Sequence, residues 1–145
     1  MKHLFLNKEL SLIAKDKKFH ELCFAYYVPT KRNDELIYQE YGGEAFDMNT
    51  VLTNDKHQCV SAPLYSQIID WFKNKYNFDI EARRMWRWSS NVGSDKINET
   101  FFRASVTNLS LGREKFLLWM DDGKTPFTSY YAAIDKAIEE AFKLI

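Results

Sequence analysis

The run Arg83-Arg84-Met85-Trp86-Arg87-Trp88 is the densest concentration of chemistry-bearing side chains in the chain. Guanidinium groups hold carboxylates and phosphates through paired hydrogen bonds, and aromatic faces stack on bases or on apolar side chains. On an extended strand Arg83 and Arg87 point the same way and flank Met85, and Arg103 with Phe101 from a neighbouring strand can join them. Arg83, Arg87, Arg103 and Phe101 are therefore the candidate binding residues. The same alternation also describes an ordinary half-buried strand. In that reading Trp86 and Trp88 enter the core, and the arginines are solvated or paired with Asp79, Glu81 and Glu99.

Other chemistry is thinner. His20, Cys23, His57 and Cys59 supply four nitrogen and sulfur donors, but their His-x2-Cys and His-x-Cys spacing matches no familiar zinc knuckle. Small buried cysteines and histidines at element ends explain them as well, so neither a metal nor any other cofactor is expected. A thiolate–imidazole pair needs one of these cysteines beside a histidine in space, which spacing does not establish. Asp121-Asp122-Gly123-Lys124 has the composition of an acid/base or Mg²⁺ site and equally that of a plain turn. There is no Gly-x-Ser-x-Gly elbow, phosphate-binding loop or dinucleotide fingerprint. A non-catalytic protein is the expectation. Tyr26-Tyr27, Tyr130-Tyr131 and Trp71, which lies off the main apolar stripe of its helix, are candidates for a protein interface.

Three helices must position these groups. Asn7 caps the first, about Lys8 to Lys18, with Leu10, Ile13 and Ala14 as a narrow apolar stripe. The second runs from about Ala62 to Tyr76, with Ser61 as its cap and Pro63 in the first turn. The third runs from about Ser129 to Ile145. Ile134, Ala137, Ile138, Ala141, Phe142 and Ile145 form one face, and Glu139 and Lys143 form an i,i+4 pair on the other.

Strand signals fill the intervals. Glu21–Val28 and Glu35–Tyr41 flank a Pro29–Asp34 turn and read as a hairpin. A short strand is expected near Met48–Leu52, within an ambiguous stretch from Glu44 to Gln58. Phe78–Trp88 alternates, with Phe78, Ile80, Ala82, Trp86 and Trp88, and Arg84 as the exception among them, opposite Asp79, Glu81, Arg83, Met85 and Arg87. Thr100–Asn108 alternates likewise, and Lys115–Met120 is a shorter strand.

Composition bounds the class. The 145 residues carry 20 Lys+Arg against 20 Asp+Glu, so no net positive field draws in nucleic acid. Hydrophobic residues make up 46%, with 5 Gly and 3 Pro, which excludes disordered and collagen-like chains. Two cysteines are too few for a disulfide scaffold. The N-terminus has no signal-peptide pattern, and the longest apolar run, Phe116–Met120, is far too short to span a bilayer. A cytoplasmic location without membrane association is expected. Zero net charge gives weak mutual repulsion, so self-association is compatible with the composition.

From Ser61 onward the order helix, three strands, helix resembles the double-stranded-RNA-binding domain in topology. That family places a Lys-Lys-x-Ala-Lys cluster at the start of its last helix. Here Thr128-Ser129-Tyr130-Tyr131-Ala132-Ala133 stands there, so the resemblance implies the fold and not the RNA contacts. A second resemblance is closer in wording. The segments Cys59–Phe72 and Tyr130–Ala137 resemble short hypothetical proteins of gut Bacteroidetes phages and mobile elements. It implies a phage or mobile-element origin and carries no activity with it.

The expectation is a single α+β domain over 1–145. Residues 1–58 supply a helix and hairpin, and 59–145 an α-β-β-β-α core whose antiparallel sheet is packed by two helices. The expected function is that of a small accessory protein that binds a protein partner. The alternative is a nucleic-acid-binding module using the same basic and aromatic strand face.

Overall fold

The computed structural model describes residues 2–28, 35–38, 44–50, 59–88, 97–117 and 126–145. The fold is α+β, with three α-helices and two small antiparallel sheets among the described residues. Contacts divide the chain into two compact units, Met1–Trp71 and Phe72–Ile145, with the boundary inside the second helix.

In the first unit, α1 spans Lys8–Asp16. Asn7 starts it as capping chemistry requires, its side chain accepting from the Leu10 amide at 3.0 Å. Leu10, Ser11 and Ala14 form the buried face. The helix stops at Asp16, short of the expected Lys18, because Lys18 turns left-handed at φ 62°. The Lys18 amide then donates to the Lys15 carbonyl and the Phe19 amide to the Ala14 carbonyl, both at 2.9 Å. This is the paired C-terminal motif usually completed by glycine. Burial of Phe19 and Ala14 holds a lysine in that conformation.

The hairpin forms as expected, with β1 (Ala25–Val28) antiparallel to β2 (Glu35–Tyr38). The connecting residues 29–34 lie outside those described. A two-residue strand, β3 (Val60–Ser61), pairs with the other side of β1 and gives the order β2-β1-β3. Ala25, Tyr27, Leu36, Val60 and Ala62 form the core here, with Phe5 packed against them. Ser61 is thus a strand residue and not the expected helix cap. Its amide donates to Asn49 Oδ1 at 3.0 Å, and its hydroxyl accepts from the Met48 amide. Asn49, itself buried, also donates from Nδ2 to the Phe19 carbonyl at 2.7 Å. The stretch expected to be a strand near Met48 is instead a 3-10 turn over Met48–Thr50. Residues 51–58 lie outside those described.

Helix α2 spans Tyr65–Tyr76 and starts later than expected, because Ala62 is still bonded to the Ala25 carbonyl. Gln67 reaches back to accept from the Leu64 amide at 2.9 Å, one half of a capping box. Trp71 is 6% exposed and meets the Phe19 ring edge-on, so it is a core residue and not an interface seed.

In the second unit, Asn77 ends α2 at φ 58°, a conformation asparagine adopts readily. Then come β4 (Phe78–Trp88), β5 (Ile97–Asn108), β6 (Arg113–Leu117) and α3 (Tyr130–Phe142). The sheet order is β4-β5-β6, all antiparallel. The chain returns through Phe127, whose carbonyl accepts from the Phe102 amide at 2.8 Å. Since β4 occupies one side of Phe102, this bridge lies on the β6 side of β5.

Helix α3 packs on β4 and β5. Its buried Ala133, Ile134, Ala137, Ile138, Ala141 and Phe142 meet Phe78, Ile80, Ala104 and Val106, with Phe72 stacked against Phe78 and tilted against Phe142. Ser129 caps α3 by accepting from the Ala132 amide at 3.1 Å. Its solvent side is laced by Lys136 and Lys143 against Glu139 and Glu140, including the expected Glu139–Lys143 pair at 2.7 Å.

Two substitutions test this account in opposite directions. Lys18→Gly removes the left-handed penalty and is expected to raise stability by about 1 kcal/mol. Asn49→Ala strands the Phe19 carbonyl and the Ser61 amide and is expected to lower it by about 1–3 kcal/mol for each buried group left unpaired. Urea unfolding midpoints check both.

Candidate interaction surface

The pleat of β4 sorts its residues as alternation predicts. Burial falls along the α3 side of the strand from Phe78 (5% exposed) and Ile80 (3%) to exposed Arg84 and Trp86 (52%). Trp86 is therefore a correction to the expected core. Eleven extended residues reach roughly 36 Å, whereas a helix of thirteen spans roughly 20 Å, so α3 cannot cover the whole strand. For Trp88 the structure describes the backbone alone, and it pairs with Ile97 across a register shift after Arg87.

The candidate residues fall on the opposite face. Arg83 lies directly across from Arg103, and Met85 directly across from Phe101. Residues opposite each other in an antiparallel pair share a face, so three of the four candidates are cross-strand or diagonal neighbours. Arg87, the fourth, falls by register across from Glu99. Arg83 is exposed and bonded to Glu81 Oε2 at 2.6 Å, while Arg103 and Phe101 are half-buried. Asp79 approaches Lys73 at 4.0 Å.

Among the residues whose side chains are described, this face carries Arg83 and Arg103 with Asp79 and Glu81. It is a mixed-charge surface around an apolar Met85–Phe101 pair, and not a basic stripe. One feature is unfavourable for the sheet itself. Like charges directly opposite destabilise a ladder, and Arg83 against Arg103 is such a pair. Glu81 offsets part of that repulsion.

The histidine and cysteine positions behave differently. His20 Nδ1 lies 3.2 Å from Asp47 Oδ2 at an exposed site. Cys23 is buried, with its backbone held to Phe46 by bonds in both directions and its thiol donating to the Glu21 carbonyl at 3.5 Å. Burial above all, then the Asp47 and Glu21 charges, push the Cys23 thiol up to about 12. A nucleophile or metal ligand needs the opposite shift. Cys59 is also buried and its thiol is raised by burial, against the nearby Lys15 charge. Lys15 donates to the Cys59 carbonyl at 3.0 Å, and burial pulls its own pKa down. Among the described residues no group of three or more His, Cys, Asp and Glu converges to hold a metal. His57 and the Asp121–Lys124 turn lie outside those residues. No helix among them is long and apolar enough to cross a membrane.

What sequence reasoning missed is the direct opposition of the two arginines. Alternation places Arg83 and Arg103 on faces of their own strands, but only the register makes them partners, and register is set by the remote packing of Ile80 and Val106 under α3.

The Cys23 shift has a measurable sign. The unfolded thiol ionises near its ordinary value of 9.0 and the folded one near 12, so the protonated thiol favours the fold. That contribution is fully present below pH 9, is lost as pH rises toward 12, and amounts to roughly 2–4 kcal/mol. Cys23→Ala is expected to flatten the alkaline fall in unfolding midpoint, and iodoacetamide is expected to label Cys23 only on unfolding.

No protein-family model, curated protein or solved structure matches this chain.

Proposed function

We propose that this protein is a small non-catalytic accessory protein of the cytoplasm, phage- or mobile-element-derived, that binds a protein partner through the face of β4 and β5 turned away from α3. The observation that carries the reading is the Arg83–Arg103 pair beside Met85–Phe101. Two guanidinium groups beside an apolar pair suit a partner carboxylate next to an apolar side chain. The carboxylates of Asp79 and Glu81 on the same face favour a protein surface over a phosphate backbone. The resemblance of the Cys59–Phe72 and Tyr130–Ala137 segments supports the proposed origin.

The test is site-directed photocrosslinking from position 101 in cells, followed by purification of the captured protein and direct measurement of its affinity. Arg103→Glu combined with Phe101→Ala is expected to weaken binding at least about tenfold, the signature of a central contact. Asp16→Lys, at the exposed end of α1, is the control and is expected to leave it unchanged. The same proteins are then titrated with labelled single- and double-stranded DNA and RNA. Salt-sensitive nucleic-acid binding lost in the double variant would replace the protein-partner reading, and indifference of every ligand to the double variant would sink both.

A further inference from the structure

β4 is the end strand of its sheet, and β5 satisfies only its inner side. Among the described residues nothing forms a ladder on its outer side, where an end strand offers a row of unpaired amides and carbonyls. Arg83, Arg84 and Trp86 along it are exposed. An edge this long with no ladder among the described residues invites strand addition, and the sequence of β4 states what it would accept.

A second copy pairing antiparallel through its own β4 must place residue i opposite a residue whose number makes a fixed sum with i. Even sums keep like faces together, so the α3 sides of both copies stay on one side of the joined sheet. A sum of 162 sets Glu81 against Glu81 on the two-fold axis, 166 sets Arg83 against Arg83, and 168 sets Arg84 against Arg84. Each puts a like-charge pair at the centre, where opposition costs most.

A sum of 164 instead brings opposite charges together beside the axis, while farther out it sets Ile80 opposite Arg84 and Asp79 opposite Met85. Ala82 meets Ala82 on the axis, and Glu81 meets Arg83 on both sides of it. On the α3 face Phe78 comes opposite exposed Trp86, again twice. Within one copy Arg83 already bonds Glu81, so the two chains together close a four-residue ring of alternating charge. Zero net charge on the chain leaves little long-range repulsion to oppose the approach.

We infer that the outer edge of β4 is a self-association site, at which a second copy of this chain adds its own β4 antiparallel about Ala82 to make one continuous six-stranded sheet. The assignment is independent of the face reading above. It uses Glu81 and Arg83 at the strand edge, and Arg103 and Phe101 stay outside the interface.

Sedimentation velocity of the full chain over a wide concentration range tests it. Wild type is expected to form a dimer. Glu81→Arg sets arginine against Arg83 of the second copy, and Arg83→Glu sets glutamate against its Glu81, so each variant alone is expected to be monomeric. Mixed together, the two restore opposite charges at every contact and are expected to form a one-to-one heterodimer. The doubly exchanged chain, Glu81→Arg with Arg83→Glu, is expected to dimerise with itself. Both positions are substantially exposed, and circular dichroism of each variant checks that the fold survives. A monomeric wild type overturns the proposal. So does a dimer indifferent to both single variants, or a mixture of the two that stays monomeric. Arg103→Glu with Phe101→Ala is expected to leave the dimer intact, so loss of partner binding and loss of dimerisation read out separately.

Discussion

Register between β4 and β5 is the constraint from which the rest of the second unit follows. The ladder runs from Phe78 opposite Asn108 to Arg87 opposite Glu99 without a slip. A shift by one residue would turn Ile80 and Val106 to solvent and bring Glu81 and Ser105 under α3. The aromatic contacts of Phe72 with Phe78 and Phe142, and the small Ala104 and Ala137 beside them, leave room for one phase only. The pleat then carries that choice along the strand, so packing at one end decides that Arg83 must face Arg103 several residues away. The placement of that face away from α3 is a consequence of the core.

The first unit depends on a different device. Its sheet is short, with four residues in each hairpin strand and two in β3, too little ladder to hold three strands alone. Buried polar groups supply the missing order. Asn49 ties the Ser61 amide to the Phe19 carbonyl, and the Leu6 carbonyl takes both the Tyr27 hydroxyl at 2.8 Å and the Ser11 hydroxyl at 3.4 Å. Such bonds add modest net energy, but unsatisfied partners are expensive, so they select one arrangement sharply.

This contrast explains how much was legible in the sequence. Helix α3 and strand β4 read clearly because periodicity alone specifies them, and each sorted its faces as the pattern required. The hairpin was legible through its turn residues. β3 was not, because a two-residue strand has no period, and Val60–Ser61 is extended only through its pairing with β1. Ser61 looked like a helix cap for the same reason: the competing acceptor, Asn49, is twelve residues away. Trp71 looked like an interface residue because the α2 pattern contains no hint of Phe19. Trp86 looked like core because a sequence does not state where a covering helix ends. For the candidate site, the residue set was legible and its central juxtaposition was not, since no local pattern encodes which strand pairs in which phase.

The arginines link the face and the edge of β4. Arg83 stands opposite Arg103 and bonds Glu81, two residues away on its own strand. A second β4 about Ala82 brings another Glu81 to the same guanidinium, and the pleat puts that carboxylate on the face that carries Arg103. The residue that looks costly in the monomer is thus the one whose surroundings improve most in the assembly.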